Sequence, residues 1–208
     1  PETVALWGGS VSAETWLAVS RGETRGITLR GSPKLVSELD LRDSDLQGVD
    51  LRKVELEKLK LDNSNLQGAV LRGAYIEFSS LVGADLRGAD LSNSLLDQCD
   101  LTDARLDGAN LRGASLESCT MVRTSLRGIK ANLKTRLGRL VDVDLSGEDL
   151  RKVVHEDIFP SGLLRVSFRG ADLRGCHLYV YKDLTECDFR DIRGERMGFD
   201  DSNWSDSL

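Results

Sequence analysis

Two histidines and four cysteines are the side chains of this chain best suited to nucleophilic or metal chemistry. Neither His155 nor His177 has a nucleophile partner at a recognised motif spacing. Cys176, His177 and Cys187 could supply zinc ligands, but in an extended run His177 would point away from its neighbour Cys176. The chain also has no Gly-rich phosphate loop followed by Lys. We therefore predict no enzymatic activity, no cofactor and no metal site.

Composition narrows the function classes further. The 208 residues are enough for one sizeable domain, and 40% hydrophobic with only 5% aromatic content indicates a core of aliphatic side chains. The formal net charge is −6 with both signs interleaved, which argues against a nucleic-acid-binding groove. No run approaches the roughly 20 apolar residues of a membrane span. The chain begins at Pro1, so either the initiator was removed or an upstream segment such as a targeting peptide precedes it.

Apolar residues recur at every fifth position through the first part of the chain. A helix repeats near 3.6 residues and a strand at 2, so a period of five indicates a unit that turns a corner, and a chain that winds as a solenoid. We call these apolar positions the centres: Val36, Leu41, Leu46, Leu51, Leu56, Leu61, Leu66, Leu71, Ile76, Leu81, Leu86, Leu91, Leu96, Leu101, Leu106, Leu111, Leu116, Met121 and Leu126.

A second inward position and a longer period accompany the centres. The residue two before each centre is small from Ser64 onward, as a narrow, close-packed core requires. Cys99 and Cys119 occupy this position, which predicts buried free thiols. One corner of a twenty-residue coil would need a residue without Cβ, and glycines recur at that interval: Gly48, Gly68, Gly88, Gly108 and Gly128.

The residue between the two inward positions is often Asp or Asn, as in Ala84-Asp85-Leu86. With this feature the chain resembles the pentapeptide-repeat proteins, whose signature is Ala-Asp/Asn-Leu followed by two variable residues. The resemblance implies an all-β fold, a right-handed quadrilateral β-helix with four pentapeptides per coil, and no enzymatic role. Some bacterial members confer quinolone resistance by imitating DNA on DNA gyrase, whereas others are abundant in cyanobacteria and in plastids, including the thylakoid lumen. Localisation is therefore open between the cytoplasm and a plastid or thylakoid.

We predict one solenoid domain with a cap and two interruptions. The cap could contain a short helix over 12–19, and Trp7, Trp16 and Trp204 are candidate plugs for the open ends of the solenoid. The predicted segments are an N-terminal cap at 1–35, a first repeat block at 36–128, a basic interruption at 129–139, a short repeat block at 140–150, a second interruption at 151–162, a C-terminal repeat block at 163–204 and a tail at 205–208.

Residues twenty apart should stack on one side of such a coil. The residues that follow successive centres on one side form an acidic ladder: Glu57, Glu77, Asp97 and Glu117. Beside it, outward positions hold an apolar patch: Tyr75, Phe78 and Leu95. Stacked like charges repel one another, although solvated side chains can splay apart and are screened by salt. An apolar patch beside acidic charge is typical of a protein-binding site, although an interruption or the N-terminal segment could equally fold over it.

The sequence predicts a non-catalytic scaffold or adaptor that binds a protein partner through the acidic ladder and the apolar patch. Such a protein could be a subunit or assembly factor of a regulatory or photosynthetic complex, with no direct contact to nucleic acid. The basic interruption offers an alternative interaction loop: Lys130, Lys134, Arg136 and Arg139. Partner identity, and the choice between a monomer and an end-to-end dimer, stay open.

The alternative function is a DNA mimic that inhibits or protects a type II topoisomerase. The acidic ladder favours this alternative. A DNA mimic needs an almost uninterrupted negative surface to compete for a basic groove. Many outward arginines disfavour it: Arg42, Arg52, Arg72, Arg87, Arg112 and Arg127.

Overall fold

The computed structural model describes residues 36–132, 134–151, 162–174 and 184–194. These ranges contain short strands and no helix. The predictions for the N-terminal cap, for His155, for Cys176 and His177, and for the tail lie outside the described residues. The strands are β1 Val36–Ser37, β2 Glu55–Glu57, β3 Tyr75–Glu77, β4 Leu95–Asp97, β5 Thr120–Val122, β6 Arg139–Val141, β7 Leu163–Leu164 and β8 Leu184–Thr185.

Every strand pairs in parallel with a strand one coil away. Strands β1 to β4 form the first sheet and β5 to β8 the second sheet, each in chain order. In the first sheet Leu56 aligns with Ile76 and Ile76 with Leu96, twenty residues further on. Single-residue bridges keep the same register on the other sides, as between Asp85 and Arg105. The chain is thus a four-sided parallel β-solenoid of about 6 turns, and the predicted fold class is confirmed.

The core is a stack of aliphatic side chains along the solenoid axis. The centres are buried, and those of the middle coils, such as Leu86, Leu91 and Leu106, are fully buried. The position two before each centre also points inward: Ala84 and Ala109 are fully buried. Both predicted inward positions are therefore confirmed within the described residues.

Almost every corner has a residue with positive φ. The residue two after a centre has a left-handed backbone from Glu38 to Gly128 except at Ser118, and on most sides the next inward N–H donates back to the centre's carbonyl, as from Ala89 to Leu86 at 3.0 Å. Gly88 has φ of +66°, as the twenty-residue glycine period predicts. A side chain disfavours this conformation because its Cβ crowds the backbone, so Gly, Asn and Asp are frequent there.

The two sheets lie on adjacent sides of the solenoid. The first sheet is centred on Leu56, Ile76 and Leu96, and the second on Met121 and its successors. One coil before β5, the same side of the solenoid carries no strand in the described part of the chain. It is linked to β5 by a single-residue bridge between Asp100 and Thr120. Regular strand pairing therefore moves to the next side of the solenoid after β4.

The register changes where the basic interruption was predicted. Ser115 pairs with Arg136, one residue more than a standard coil, and Thr120 pairs with Arg139, one residue fewer. Gly138 makes the short corner between them, and a Cβ built on it would lie 2.2 Å from the carbonyl oxygen of Cys119. The described part of this segment continues the coil and buries four side chains: Ile129, Ala131, Thr135 and Leu137.

Beyond Leu140 the coils are longer. Leu140 aligns with Leu163 and Leu163 with Leu184, so three residues and then one residue are added to the twenty-residue coil. The second alignment agrees with the sequence, in which apolar residues recur every five positions from Leu163 to Leu178 and then after six at Leu184. Residues 152–161 of the predicted second interruption lie outside the described residues. The rings of Phe168 and Phe189 stack at the end of the described core, with centroids 5.0 Å apart.

Candidate functional site

The acidic ladder lies on the outer face of the first sheet. Glu57, Glu77 and Asp97 align directly across β2, β3 and β4, and neighbouring strands are about 4.8 Å apart. Glu117 is exposed and lies in a turn one coil further on, outside the sheet. In the coil before Glu117, the N–H of Gln98 donates to the hydroxyl of Ser118 instead of to a backbone carbonyl. This change of acceptor ends the strand pairing. Three of the four predicted members thus share one sheet, and the fourth extends the line beyond it.

Two members of the ladder, Glu77 and Asp97, have no ion-paired cation among the described residues. Glu57 pairs with Lys58, with 3.0 Å between Oε1 and Nζ. Glu77 instead accepts the Tyr75 hydroxyl, and Asp97 accepts the hydroxyl of Ser118. Neither Glu77 nor Asp97 forms an ion pair with a described residue. Neutral donors orient these carboxylates but leave their charge uncompensated.

The apolar patch borders the ladder on both sides. Tyr75 and Leu95 align in the column that precedes the buried centres, while Phe78 follows the ladder at the corner. Phe78 is 47% exposed and Leu95 41%, and they are the large hydrophobic side chains that stand out from the described surface. Tyr75 is half-buried. Around Glu77 and Asp97 the face is therefore a line of carboxylates with apolar side chains on both sides, whereas one coil earlier the flanking residues are Glu55 and Lys58.

Phe78 occupies a backbone conformation that bulky residues rarely adopt. Its φ is +49°, in the left-handed region where an aromatic residue is an outlier. Corresponding corners elsewhere hold Gly88 or Asn63, which tolerate this region well. Such strain at an exposed site is a reason to look for a function, since folding alone would favour a smaller residue.

The alternative interaction loop is spread around the coil. Lys130, Arg136 and Arg139 pair with residues on three successive sides of the previous coil, and Lys134 is exposed at the corner between the first two. Arg136 stacks above Ser115, in the column that also holds Leu95. The four basic residues therefore do not share one side of the solenoid.

Ion pairs within Asp-Leu-Arg triplets were not anticipated from the sequence. Asp50 and Arg52 flank the inward Leu51 and both point outward; the Arg52 Nε donates to one Asp50 oxygen at 2.8 Å and its terminal nitrogen to the other at 2.5 Å. The same bidentate geometry recurs in the triplets 40–42, 85–87, 149–151 and 172–174 and in the variant 188–190. The sequence pattern that could have predicted these ion pairs is an acid and an arginine on either side of one centre.

The arginine of a triplet can lower the pKa of its aspartate. The hydrogen bonds from Arg42 lower the pKa of Asp40 to about 2, and those from Arg87 lower the pKa of Asp85. Arg42 and Arg87 are thereby each ion-paired with an acid on the same side of the solenoid. Arg72 is likewise joined to Asp90, at 3.1 Å.

Thiol and metal chemistry find little support in the described residues. Cys99, Cys119 and Cys187 are buried free thiols, as predicted for the small inward position. Hydrogen bonding to Cys99 and burial raise the pKa of Cys119, and burial raises the pKa of Cys187, so these two are poor nucleophiles. Across the described ranges, no group of three or more His, Cys, Asp or Glu side chains is arranged to hold a metal ion.

Fold and surface together define a parallel β-solenoid protein with a charged and apolar outer face. The pentapeptide repeats family model matches in eight copies, over residues 40–77, 56–93, 79–117 and 94–130. A pentapeptide repeat protein from the Arabidopsis thaliana thylakoid lumen is 30% identical; the match covers 63% of this chain and 75% of that chain, with a TM-score of 0.19. The chain belongs to the pentapeptide repeat family.

Two further solved structures are similar to this chain. QnrB1, a plasmid-mediated fluoroquinolone resistance protein, is 17% identical over 78% of this chain and 91% of its own, with a TM-score of 0.50. HetL, a protein of the cyanobacterium Nostoc involved in heterocyst differentiation regulation, is 19% identical over 93% of both chains, with a TM-score of 0.34. No curated protein sequence matches the chain. Nowhere in the described ranges is a helix long and apolar enough to cross a membrane.

Proposed function

We propose that this chain is a non-catalytic scaffold or adaptor that binds a protein partner through the outer face of the first sheet. The observation that carries the proposal is the pair Glu77 and Asp97, which form no ion pair with a described residue and have the exposed Phe78 and Leu95 on either side. A stiff solenoid presents such a face already ordered, so binding costs little conformational entropy. Family membership agrees with a binding role, because pentapeptide repeat proteins are generally structural or binding proteins.

Partner capture with matched surface variants tests the proposal. Phe78→Asn combined with Leu95→Thr removes the two exposed apolar side chains of the patch, and Asn also suits the left-handed corner, so the fold should persist. Val141→Thr combined with Leu164→Thr makes a similar change on the second sheet and is the control. We expect proteins captured from the native source by the wild type and the control to be lost from the first variant. Equal capture by all three would refute the assigned face.

The DNA-mimic alternative is less well supported by the surface. Arg42, Arg52 and Arg87 are ion-paired within their own sides, so those sides present matched charges and no continuous negative strip. QnrB1 shares the fold at low identity, and that likeness does not extend to function. Inhibition of a supercoiling reaction by micromolar wild-type protein would revive the alternative, and loss of that inhibition in Glu77→Gln would locate it on the ladder.

A further inference from the structure

The dimensions of the first sheet's outer face suit one class of partner segment. Ladder carboxylates on successive coils are about 4.8 Å apart along the solenoid axis. Along the strand, residues on either side of a centre are about 6.6 Å apart, which separates the Tyr75 and Leu95 column from the Glu77 and Asp97 column. A complementary segment must therefore repeat its cations at roughly the coil spacing and keep apolar groups beside them.

We propose that this face binds a basic amphipathic α-helix of a partner protein, lying along the solenoid axis. This inference rests on the proposed function and specifies its partner. A helix advances about 5.4 Å per turn, so Lys or Arg at i, i+3 and i+7 rise by about 4.5 and 10.5 Å. Three successive carboxylates require about 4.8 and 9.6 Å, and flexible basic side chains absorb differences of this size.

An extended segment fits the same carboxylates poorly. Its side chains on one face repeat every 6.6 Å or so, which accumulates an error of about 3.6 Å over three coils. The distribution of side chains points the same way, because Glu77 and Asp97 have the exposed Leu95 and Phe78 on opposite sides and a helix can place cations in the middle with apolar residues on both sides. The spacing therefore selects a helix over a strand.

The chemistry of the face complements such a helix in detail. Glu77 and Asp97 already accept one neutral hydrogen bond each, which fixes their position while leaving lone pairs for an incoming ammonium or guanidinium group. The aliphatic stems of Lys and Arg can lie on Leu95, and the exposed Phe78 ring can receive a cation over its face. The strained corner at Phe78 thus gains a role in recognition.

Three synthetic peptides of about 18 residues, about five helical turns, test the inference on the full chain by fluorescence anisotropy. The first carries Lys along one helical face with Leu on both sides. The second has the same composition with Lys distributed around the helix. The third is the first with a central Pro, which breaks the helix while leaving the charge unchanged. We expect the first to bind about tenfold or more tightly than the others, with weaker binding at raised salt.

Variants assign the contact to the face. Phe78→Asn and Glu77→Gln should each weaken binding of the helical peptide several-fold, and the second-sheet control, Val141→Thr with Leu164→Thr, should not. Equal binding of all three peptides would overturn the helix inference and leave the scaffold proposal to the capture experiment. Absence of binding to the first peptide, with partner capture still dependent on Phe78 and Leu95, would overturn the helix inference alone.

A photo-crosslinker distinguishes a partner helix from the chain's own N-terminal segment. Phe78→p-benzoylphenylalanine places the reactive group on the apolar edge, and the crosslinked residue is identified by mass spectrometry. Crosslinking to the Lys-bearing face of the helical peptide supports the inference. Intramolecular crosslinking to residues 1–35 that the peptide does not displace would overturn it, since the face would then be covered by its own chain.

Discussion

The first and second sheets both stack short parallel strands over a buried apolar core, but they differ in the charge of their outward side chains. In the column that follows the centres, the first sheet has acids at Glu57, Glu77 and Asp97. The second sheet has Val122, Val141 and Leu164 at the equivalent positions, followed by Thr185. This difference concerns outward side chains, because the buried centres beneath both sheets are apolar.

The corner columns extend the contrast. Along the second sheet the corner residues alternate in charge, and neighbours pair: Arg123 with Asp103, and Arg165 with Asp142. The first sheet's equivalent column holds Lys58, then the exposed Phe78. A stacked column in this protein can therefore contain its own ion pairs. The solenoid does not require acids such as Glu77 and Asp97, which form no ion pair with a described residue. That is the main structural argument for assigning the first sheet a binding role.

The largest predicted effect tests whether the two sheets share one kind of core. Leu96→Ala beneath the first sheet and Leu140→Ala beneath the second should each lower the free energy of unfolding by about 2–5 kcal/mol, because each opens a cavity at a fully enclosed position. Urea unfolding followed by circular dichroism measures both. A loss under about 1 kcal/mol at Leu140 alone would show that the second core is less tightly packed.

The junction between the sheets gives the next effect. Gly138→Ala should lower the free energy of unfolding by about 3 kcal/mol, because the new Cβ would clash with the carbonyl oxygens of Cys119 and Leu116. Coils contact only their neighbours, so amide hydrogen exchange should rise most in β6 and least in β2 and β3.

Gly88→Ala is the matched control for that junction. Its Cβ would meet open space, so only the left-handed backbone is penalised, at about 1–2 kcal/mol. Equal losses for Gly138→Ala and Gly88→Ala would mean that the close carbonyl contacts at Gly138 do not constrain the corner.

A charge substitution in the acidic ladder and one in the second sheet's corner column should change the melting temperature in opposite directions. Glu77→Lys places a cation between two acids and should raise the melting temperature slightly, as expected for a cross-strand pair worth about 0.2–1 kcal/mol. Arg123→Glu breaks its pair with Asp103 and faces Asp142 as well, so the melting temperature should fall. Both shifts should shrink in high salt. A decrease for Glu77→Lys would show that the ladder is not repulsive.

Lowering the pH should reduce the melting temperature through paired aspartates near both sheets, and this is the smallest effect that we expect. Paired arginines lower the pKa of Asp40 to about 2 and also lower that of Asp188. A carboxyl whose folded pKa lies below its unfolded value stabilises the protein above the unfolded value of 3.8 and loses that contribution as pH falls toward the folded value. Melting temperatures should therefore hold from neutral pH to about 4 and decline between about 4 and 2. In Arg42→Gln the decline should be smaller.

Much of the fold and part of the candidate site could be predicted from local sequence. Leu86 and Ala84 point inward because a period of five repeats the same steric demand in each unit, and Gly88 meets the backbone requirement of its own corner. Stacking of Glu57, Glu77 and Asp97 followed from the twenty-residue coil. Glu117 was placed in the same line but lies outside the sheet, because the hydrogen bonding of Gln98 in the coil below ends the pairing there.

The sequence by itself determined the inward positions and the corners, since each depends on residues within one or two repeats, and it determined the coil length through the twenty-residue glycine period. Only the tertiary structure decided which side carries hydrogen-bonded strands, which arginines are neutralised, and that the segment around Gly138 continues the coil. Strand pairing and the course of the chain around Gly138 depend on groups one coil away in space, where a single inserted residue changes which groups meet. Ion pairs such as that of Arg52 with Asp50 depend on side-chain geometry within one triplet. The uncompensated charge of Glu77 and Asp97 belongs to this second class, because it is defined by the neighbours that the fold brings beside them.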